Sequence, residues 1–181
     1  EKLTNAEITK IRKDLTVKPF VNGSFGVEAS PFAIYMESKR KLYLPRYYGI
    51  KEFGYPTGFK INEGTPIDIE FKGTLKDKQL PIVNAFTEAV KDKYIGGGII
   101  SVPCGYGKTV IGLYLASVLK VKTLVVVHKE FLMNQWIERI EEFIPDARVG
   151  TIQGSTINVE NKYYYISTNN ERFDVLYSPY I

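Results

Sequence analysis

The sequence is poor in the side chains that form disulfides and zinc sites. It contains one cysteine, Cys104, and one histidine, His128, among 181 residues. A single cysteine cannot form an internal disulfide or a cysteine-rich zinc site, and it is typical of a protein kept in a reducing compartment. We therefore expect an intracellular protein, of the cytoplasm or the nucleus.

Long hydrophobic runs are also lacking. No apolar stretch approaches the length of a membrane-spanning helix, and the first residues do not follow the pattern of a secretory signal. Neither a repeat nor a low-complexity segment is present. The length suits one domain, or one domain with a small appendage. Because the chain starts at Glu1 rather than at a methionine, we expect it to be cut from a longer protein.

Positive charge is in modest excess and is unevenly distributed. The net charge is +4, and residues 1–60 contain 11 Lys and Arg against 6 Asp and Glu. The remaining 121 residues contain 13 against 14, so the whole surplus lies in the first third of the chain. Such a balance permits a nucleic-acid partner without requiring one.

The first predicted segment, residues 1–72, is an N-terminal helix followed by a β-rich leader. Residues 1–15 place Thr4 as a cap before apolar residues at helical spacing. Beyond them, glycine, proline and aromatic residues separate the short extended runs "FAIYM", "KLYLP" and "IDIEF".

The second predicted segment, residues 73–162, alternates apolar strands with amphipathic helices. Strands are expected at "IISV", "TLVVV" and "ARVGTI". Helices are expected within "KDKQLPIVNAFTEAVKD", from the loop that follows "IISV" through Leu119, and at "EFLMNQWIERIEEF". This alternation predicts an α/β fold with a parallel sheet covered by helices on both faces. Residues 163–181 form a tyrosine-rich tail, in which we expect a strand that completes the sheet.

A glycine-bearing loop joins the expected strand "IISV" to a helix. The stretch "VPCGYGKT" has the form of a P-loop, although Val102 replaces its usual first glycine. Glycines allow successive backbone N–H groups to face phosphate oxygens, and a helix start adds unpaired N–H groups. We expect Lys108 to neutralise phosphates and Thr109 to bind Mg²⁺, and we assign the catalytic role to these two residues. The residues predicted to bind ATP here are Pro103, Cys104, Gly105, Tyr106, Gly107, Lys108 and Thr109.

Plainer interpretations of this loop also exist. A glycine-rich turn with a solvated lysine would have the same local sequence. Cys104 has no histidine nearby in sequence, so it fits a small loop residue better than a catalytic thiol.

From about Leu75 to Gly154, the sequence resembles the superfamily 2 helicases and translocases. "LKDKQ", "VPCGYGKT" and "LVVVHKEFLMNQWIERI" are similar to three successive motifs of that family. The resemblance implies a partial RecA-like lobe, adenine recognition by Gln79, and contact with a nucleic-acid strand by His128 and Lys129. Alternatively, Gln79 is a surface residue and His128 is structural. Trp136, with Leu132, Ile140 and Phe143, is expected to form an apolar core stripe at helical spacing.

The leader contains a basic and aromatic stretch, "ESKRKLYLPRYYG". Cations can follow a phosphate backbone while aromatic rings stack on bases, which makes Lys39, Arg40, Lys41 and Arg46 candidate nucleic-acid ligands. In an extended run, Lys39, Lys41 and Tyr43 would share one face. The alternative is a surface hairpin with a solvated "KRK" turn. This front segment also resembles helicases of large DNA viruses, which would make a virion or viral factory a further possible location.

No apolar strand after Lys108 ends in Asp-Glu, so the acidic helicase motif that would hold Mg²⁺ and position water is not recognisable. We therefore expect ATP binding without efficient hydrolysis, and a nucleic-acid partner, with DNA favoured over RNA. The leading interpretation is the N-terminal part of an ATP-dependent helicase whose second lobe, or larger assembly, is separate. A catalytically incomplete structural module and a different P-loop enzyme, such as a kinase, remain alternatives.

Overall fold

The structure is a computed structural model, and it describes residues 3–19, 30–58, 64–92 and 96–168. Most of the predicted tail, residues 169–181, therefore lies outside the described residues. The backbone divides into two compact units, Glu1–Phe59 and Lys60–Ile181. The sequence placed the division after residue 72 instead, but Ile67 and Ile69 belong to the core of the second unit.

The first unit begins with helix α1, Asn5–Asp14, whose start is a capping box. The Thr4 hydroxyl accepts a hydrogen bond from the Glu7 N–H (3.3 Å), and the Glu7 carboxylate accepts one from the Thr4 N–H (2.7 Å). This reciprocal pair satisfies two backbone donors that a helix start otherwise leaves open. The predicted cap at Thr4 is confirmed.

Two short antiparallel pairs and a helix follow in the first unit. Strand β1 (Thr16–Val17) pairs with β2 (Phe32–Ala33), β3 (Met36–Glu37) pairs with β4 (Leu42–Tyr43), and α2 spans Arg46–Phe53. The prediction that residues 39–44 alternate along one strand is wrong, because residues 38–41 form the turn between β3 and β4. The helix α2 was not predicted, and the run "IDIEF" forms no strand.

The second unit contains α3 (Leu80–Val90), α4 (Lys108–Leu119), β5 (Thr123–Val127), α5 (Glu130–Phe143), β6 (Val149–Gln153), β7 (Thr156–Ile157) and β8 (Tyr164–Thr168). Its sheet has the order β5-β8-β6-β7. Strands β5, β8 and β6 are parallel, whereas β7 is antiparallel to β6. The described part of the tail thus supplies the central strand β8, as expected.

Two expectations for this sheet are wrong. Residues 99–102 form no strand, and the Ile99 side chain is 96% exposed. In the part of the chain that the structure describes, β5 is an edge strand of the sheet. It pairs with β8 on one side, and residues 99–102 do not pair with it on the other. The sheet is not covered evenly on both faces either, because α5 packs against β5 and β8 while Val126 of β5 is 61% exposed.

The main core lies where α4 and α5 meet the sheet. Leu113, Ile140 and Tyr164 are fully buried within it, and the predicted Trp136 stripe packs against it. A Cβ added at Gly112 of α4 would come within 3.0 Å of the Trp136 ring, so this glycine permits close packing of α4 on α5. No described helix combines the length and apolar character needed to cross a membrane.

Candidate nucleotide-binding and nucleic-acid-binding sites

The phosphate loop, residues 103–109, is shaped by two glycines in the left-handed region. Gly105 has φ +78° and Gly107 has φ +76°, values that side-chain-bearing residues rarely adopt. Gly107 is the N-cap of α4, and its carbonyl accepts the N–H of Ile111 at 3.0 Å. The helix therefore begins at Lys108, directly after the loop, and its first N–H groups are available to an anion.

The Lys108 side chain folds back over this loop. Its Nζ donates a hydrogen bond of 3.0 Å to the Pro103 carbonyl, and the residue is exposed. A phosphate oxygen is a stronger partner for an ammonium group than a neutral carbonyl is. The geometry therefore fits an anion held between Lys108 and the start of α4, with the Thr109 hydroxyl on the same first turn.

Gln79, which the family resemblance assigns to adenine, is 3% exposed, and both polar atoms of its amide are hydrogen-bonded to backbone groups. Its Nε2 donates to the Tyr106 carbonyl at 2.8 Å, and its Oε1 accepts the Lys76 N–H at 2.9 Å. The alternative of a surface glutamine is wrong. The amide instead connects the start of α3 to the phosphate loop.

Of the loop residues beside the glycines, Cys104 is exposed and Tyr106 is partly buried. Cys104 is an exposed free thiol, and the Tyr106 ring lies under the Lys78 ammonium, 4.2 Å from its centroid. This cation–π contact holds the ring of Tyr106, and the Gln79 hydrogen bond holds its backbone carbonyl.

His128 and Lys129 lie where β5 ends and α5 begins, and both are exposed. The Lys129 carbonyl accepts the Leu132 N–H at 3.1 Å, which fixes the N-cap of α5. Their side chains are therefore held at the carboxyl edge of a parallel strand, the edge at which α/β sheets commonly bind ligands.

The four basic candidates of the leader are exposed, and three of them share one turn. Lys39, Arg40 and Lys41 lie in the turn between β3 and β4, while Arg46 starts α2. Tyr48, one of the neighbouring aromatic residues, has a structural contact instead. Its hydroxyl donates to the Asp14 carboxylate at 3.0 Å, and burial is the main cause of its raised pKa.

Two features of these sites were missed at the sequence level. The Gln79–Tyr106 hydrogen bond joins residues 27 positions apart, and the Arg12–Glu37 ion pair joins residues 25 positions apart. No local sequence pattern predicts either of these two contacts. The described residues include no group of three or more His, Cys, Asp or Glu side chains placed to hold a metal ion.

The sequence family described as "Type III restriction enzyme, res subunit" matches residues 72–175. The matched span includes Gln79, the whole phosphate loop, His128 and Lys129. It leaves the basic turn of the leader outside.

Three relatives illustrate the similarity. A protein named as an ATP-dependent RNA helicase of Acanthamoeba polyphaga mimivirus is 33% identical over 161 residues, which are 86% of this chain and 31% of the relative. A protein named as a helicase of Invertebrate iridescent virus 6 is 37% identical over 60% of this chain and 24% of its own length. A DNA 3'-5' translocase of Sulfurisphaera tokodaii is 41% identical, also over 60% and 24%. The chain thus spans about a quarter to a third of these relatives.

Proposed function

Because the chain belongs to the type III restriction enzyme res-subunit family, and the predicted resemblance to superfamily 2 helicases is confirmed, we propose that it is the N-terminal part of an ATP-dependent nucleic-acid helicase or translocase. One observation carries the proposal. The helix α4 begins at Lys108 directly after the left-handed Gly107, and the Lys108 ammonium lies over the loop, 3.0 Å from the Pro103 carbonyl.

In this proposal, the phosphate loop binds the triphosphate of ATP. The backbone N–H groups at the start of α4 donate to phosphate oxygens, and the helix dipole adds a partial positive charge at the same end. Lys108 exchanges the Pro103 carbonyl for a phosphate oxygen, and the Thr109 hydroxyl binds the Mg²⁺ that accompanies the nucleotide. When bound, Mg²⁺ neutralises charge on the phosphates.

Adenine recognition by Gln79 is part of the same proposal. An amide can form paired hydrogen bonds with the edge of adenine. Nε2 and Oε1 of Gln79 each form one hydrogen bond with a backbone group, which leaves a second hydrogen and a second lone pair for the edge of adenine. The nucleotide base and the phosphate loop would then be coupled through one side chain.

We assign contacts with the nucleic-acid strand to one group of residues in each unit. His128 and Lys129, exposed at the end of β5, would contact the strand backbone from the second unit, and the basic residues of the leader would contact it from the first. The relatives' names include both an RNA helicase and a DNA translocase. DNA is our proposed substrate, and paired DNA and RNA strands of one sequence would test that choice.

The direct test is a calorimetric titration of the whole chain with Mg-ATP. Lys108→Ala should weaken binding by about 10-fold or more, because hydrogen bonds to charged groups contribute roughly 1.5–3 kcal/mol. Lys91→Ala is the matched control, since Lys91 is an exposed lysine of the same unit that pairs with the surface residue Glu88. Equal affinities for wild type and Lys108→Ala would exclude the assigned site.

A further inference from the structure

The short hairpin of residues 36–43 has two different faces. Met36 is directly opposite Tyr43, and Glu37 is directly opposite Leu42. Since successive side chains of a strand point to opposite faces, Met36 and Tyr43 share one face, and Glu37 and Leu42 share the other. The second pair lines a groove of about 400 Å³ together with the turn residues Ser38, Lys39, Arg40 and Lys41, and with Leu3 and Ile8 near the start of α1. We name this the inner face, and the face of Met36 and Tyr43 the outer face.

An ion pair with α1 fixes the inner face. Arg12 binds the Glu37 carboxylate through two nitrogens, with Nη2 2.6 Å from Oε1 and Nε 3.2 Å from Oε2. The hydrogen bond to Glu37 raises the pKa of the Arg12 guanidinium. A bidentate pair of this kind orients the hairpin and compensates its only acidic side chain.

The outer face is apolar and exposed. Met36 is 72% exposed and Tyr43 is 52% exposed. In a sheet with one covered face, the solvent-facing positions are normally polar. Directly opposite side chains lie close together, so the Tyr43 ring and the Met36 thioether form one continuous apolar surface.

Positive charge is concentrated at the end of the same hairpin. Lys39, Arg40 and Lys41 are exposed in a turn that is closed by the Ser38 N–H, which donates to the Lys41 carbonyl at 2.8 Å. The Ser38 hydroxyl accepts the Lys41 N–H at 3.1 Å, which fixes the turn further. Residues 38–51 contain no Asp or Glu, so nothing in this stretch repels a phosphate.

We propose that the outer face of this hairpin is a base-stacking surface for single-stranded nucleic acid, with the turn cations holding the adjacent phosphates. The inference rests on the proposed contact between the leader and nucleic acid, and it adds the strand type and the stacking residues Met36 and Tyr43. Aromatic side chains stack on any unpaired base, whereas the bases of a duplex already stack on each other. The apolar pair therefore selects unpaired strands, and the cations alone would not.

The test uses the complete chain and three labelled probes: an oligothymidylate, an abasic strand of the same length, and a duplex. Tyr43→Ala should weaken oligothymidylate binding about 10-fold, the range expected for one lost base stack, and should leave the abasic strand unaffected. Tyr43→Phe keeps the ring and should bind within about twofold of wild type. Tyr55→Ala is the matched control, because Tyr55 is 56% exposed in the same unit but lies outside the hairpin.

Different failures have different meanings. If Tyr43→Ala binds oligothymidylate like wild type while replacement of Lys39, Arg40 and Lys41 weakens it, the stacking surface is wrong and the leader contact stands. If neither change has an effect, the leader contact itself is wrong. An equal loss for the abasic strand would also overturn stacking. A change in the sedimentation of Tyr43→Ala without a change in its nucleic-acid binding would also overturn the stacking proposal, because the outer face would then be a contact between protein molecules. Thermal unfolding of each variant verifies that it is folded.

Discussion

The side-chain amide of Gln79 donates a 2.8 Å hydrogen bond to the backbone carbonyl of Tyr106 in the phosphate loop. A Cβ at the neighbouring Gly107 would lie 2.7 Å from the same Nε2 atom, so the amide occupies the space that this glycine leaves open. The start of α3 and the phosphate loop are therefore interlocked by one buried side chain. Changes at either partner should affect both the stability of the loop and its affinity for nucleotide.

Gln79→Glu should weaken the loop without removing side-chain volume. The carboxylate can still accept the Lys76 N–H, but it places negative charge against the Tyr106 carbonyl in a buried position. We expect a loss of about 1–3 kcal/mol in the free energy of unfolding, the range for an unsatisfied buried polar group. Denaturant unfolding measures this change.

Nucleotide titration of the same variant separates two roles of Gln79. If the side chain acts by holding the loop, affinity for Mg-ATP and Mg-GTP should fall by the same factor. A loss confined to ATP would instead indicate direct adenine recognition, and unchanged stability and affinity would contradict both roles.

Gly107→Ala and Gly105→Ala form a matched pair. Gly107 has φ +76° and Gly105 has φ +78°, so alanine has a similar backbone cost at each. A Cβ at Gly105 meets nothing within 4 Å, whereas at Gly107 it meets Gln79. Gly107→Ala should therefore destabilise the protein by about 1 kcal/mol more than Gly105→Ala does, as a steric clash adds to strain. Equal melting temperatures would contradict the interlock.

Joint replacement of Lys39, Arg40 and Lys41 by glutamine should reduce the salt dependence of single-strand binding. Each phosphate contact on a single strand contributes about 0.7 to the slope of log affinity against log salt, so three lost contacts should lower it by about 2. Lys13→Gln is the control, since Lys13 is an exposed cation of the same unit outside the turn. An unchanged slope would show that the turn does not contact phosphates and is an ordinary solvated surface.

Tyr164→Phe should stabilise the protein by about 1 kcal/mol, because the Tyr164 hydroxyl is fully buried and has no hydrogen-bond partner among the described residues. Tyr163→Phe is the control, since that hydroxyl accepts a hydrogen bond from Arg148. A melting temperature of Tyr164→Phe below that of wild type would show that the hydroxyl is satisfied.

The same residue predicts a pH dependence. Burial raises the pKa of the Tyr164 hydroxyl far above its usual range. An unfolded tyrosine ionises near pH 10, whereas the folded state keeps its proton there. The wild type should therefore lose stability as the pH rises above about 10, because the unfolded state alone gains charge. Tyr164→Phe should lack this part of the alkaline loss.

Helices with a local signal were predictable from the sequence, and α2 was not. Thr4 and Glu7 form a capping box within four residues, and Met133 and Ile140 of α5 lie on one buried face. In contrast, Arg46–Phe53 contains two tyrosines and a glycine, which favour helices weakly, and it buries no residue. Without an apolar face, α2 has no periodicity to read.

Strand formation depended on neighbours that a sequence pattern does not reveal. "TLVVV" and "IISV" are similarly apolar, yet only the first pairs, because β8 lies beside it in register from Thr123 to Val127. The turn at Gly105 and Gly107 and the helix start at Lys108 were predictable because these residues are contiguous. The role of Gln79 was not, because its partner Tyr106 lies 27 residues away.

The most direct test of the account follows bound nucleotide and released phosphate together during an Mg-ATP titration of this chain, with and without single-stranded DNA. We predict saturable ATP binding that Lys108→Ala weakens by about 10-fold or more, and little phosphate release under either condition. Failure of the wild type to bind Mg-ATP would contradict the nucleotide site. Phosphate release that rises with DNA would contradict the expectation that these residues alone do not hydrolyse ATP efficiently.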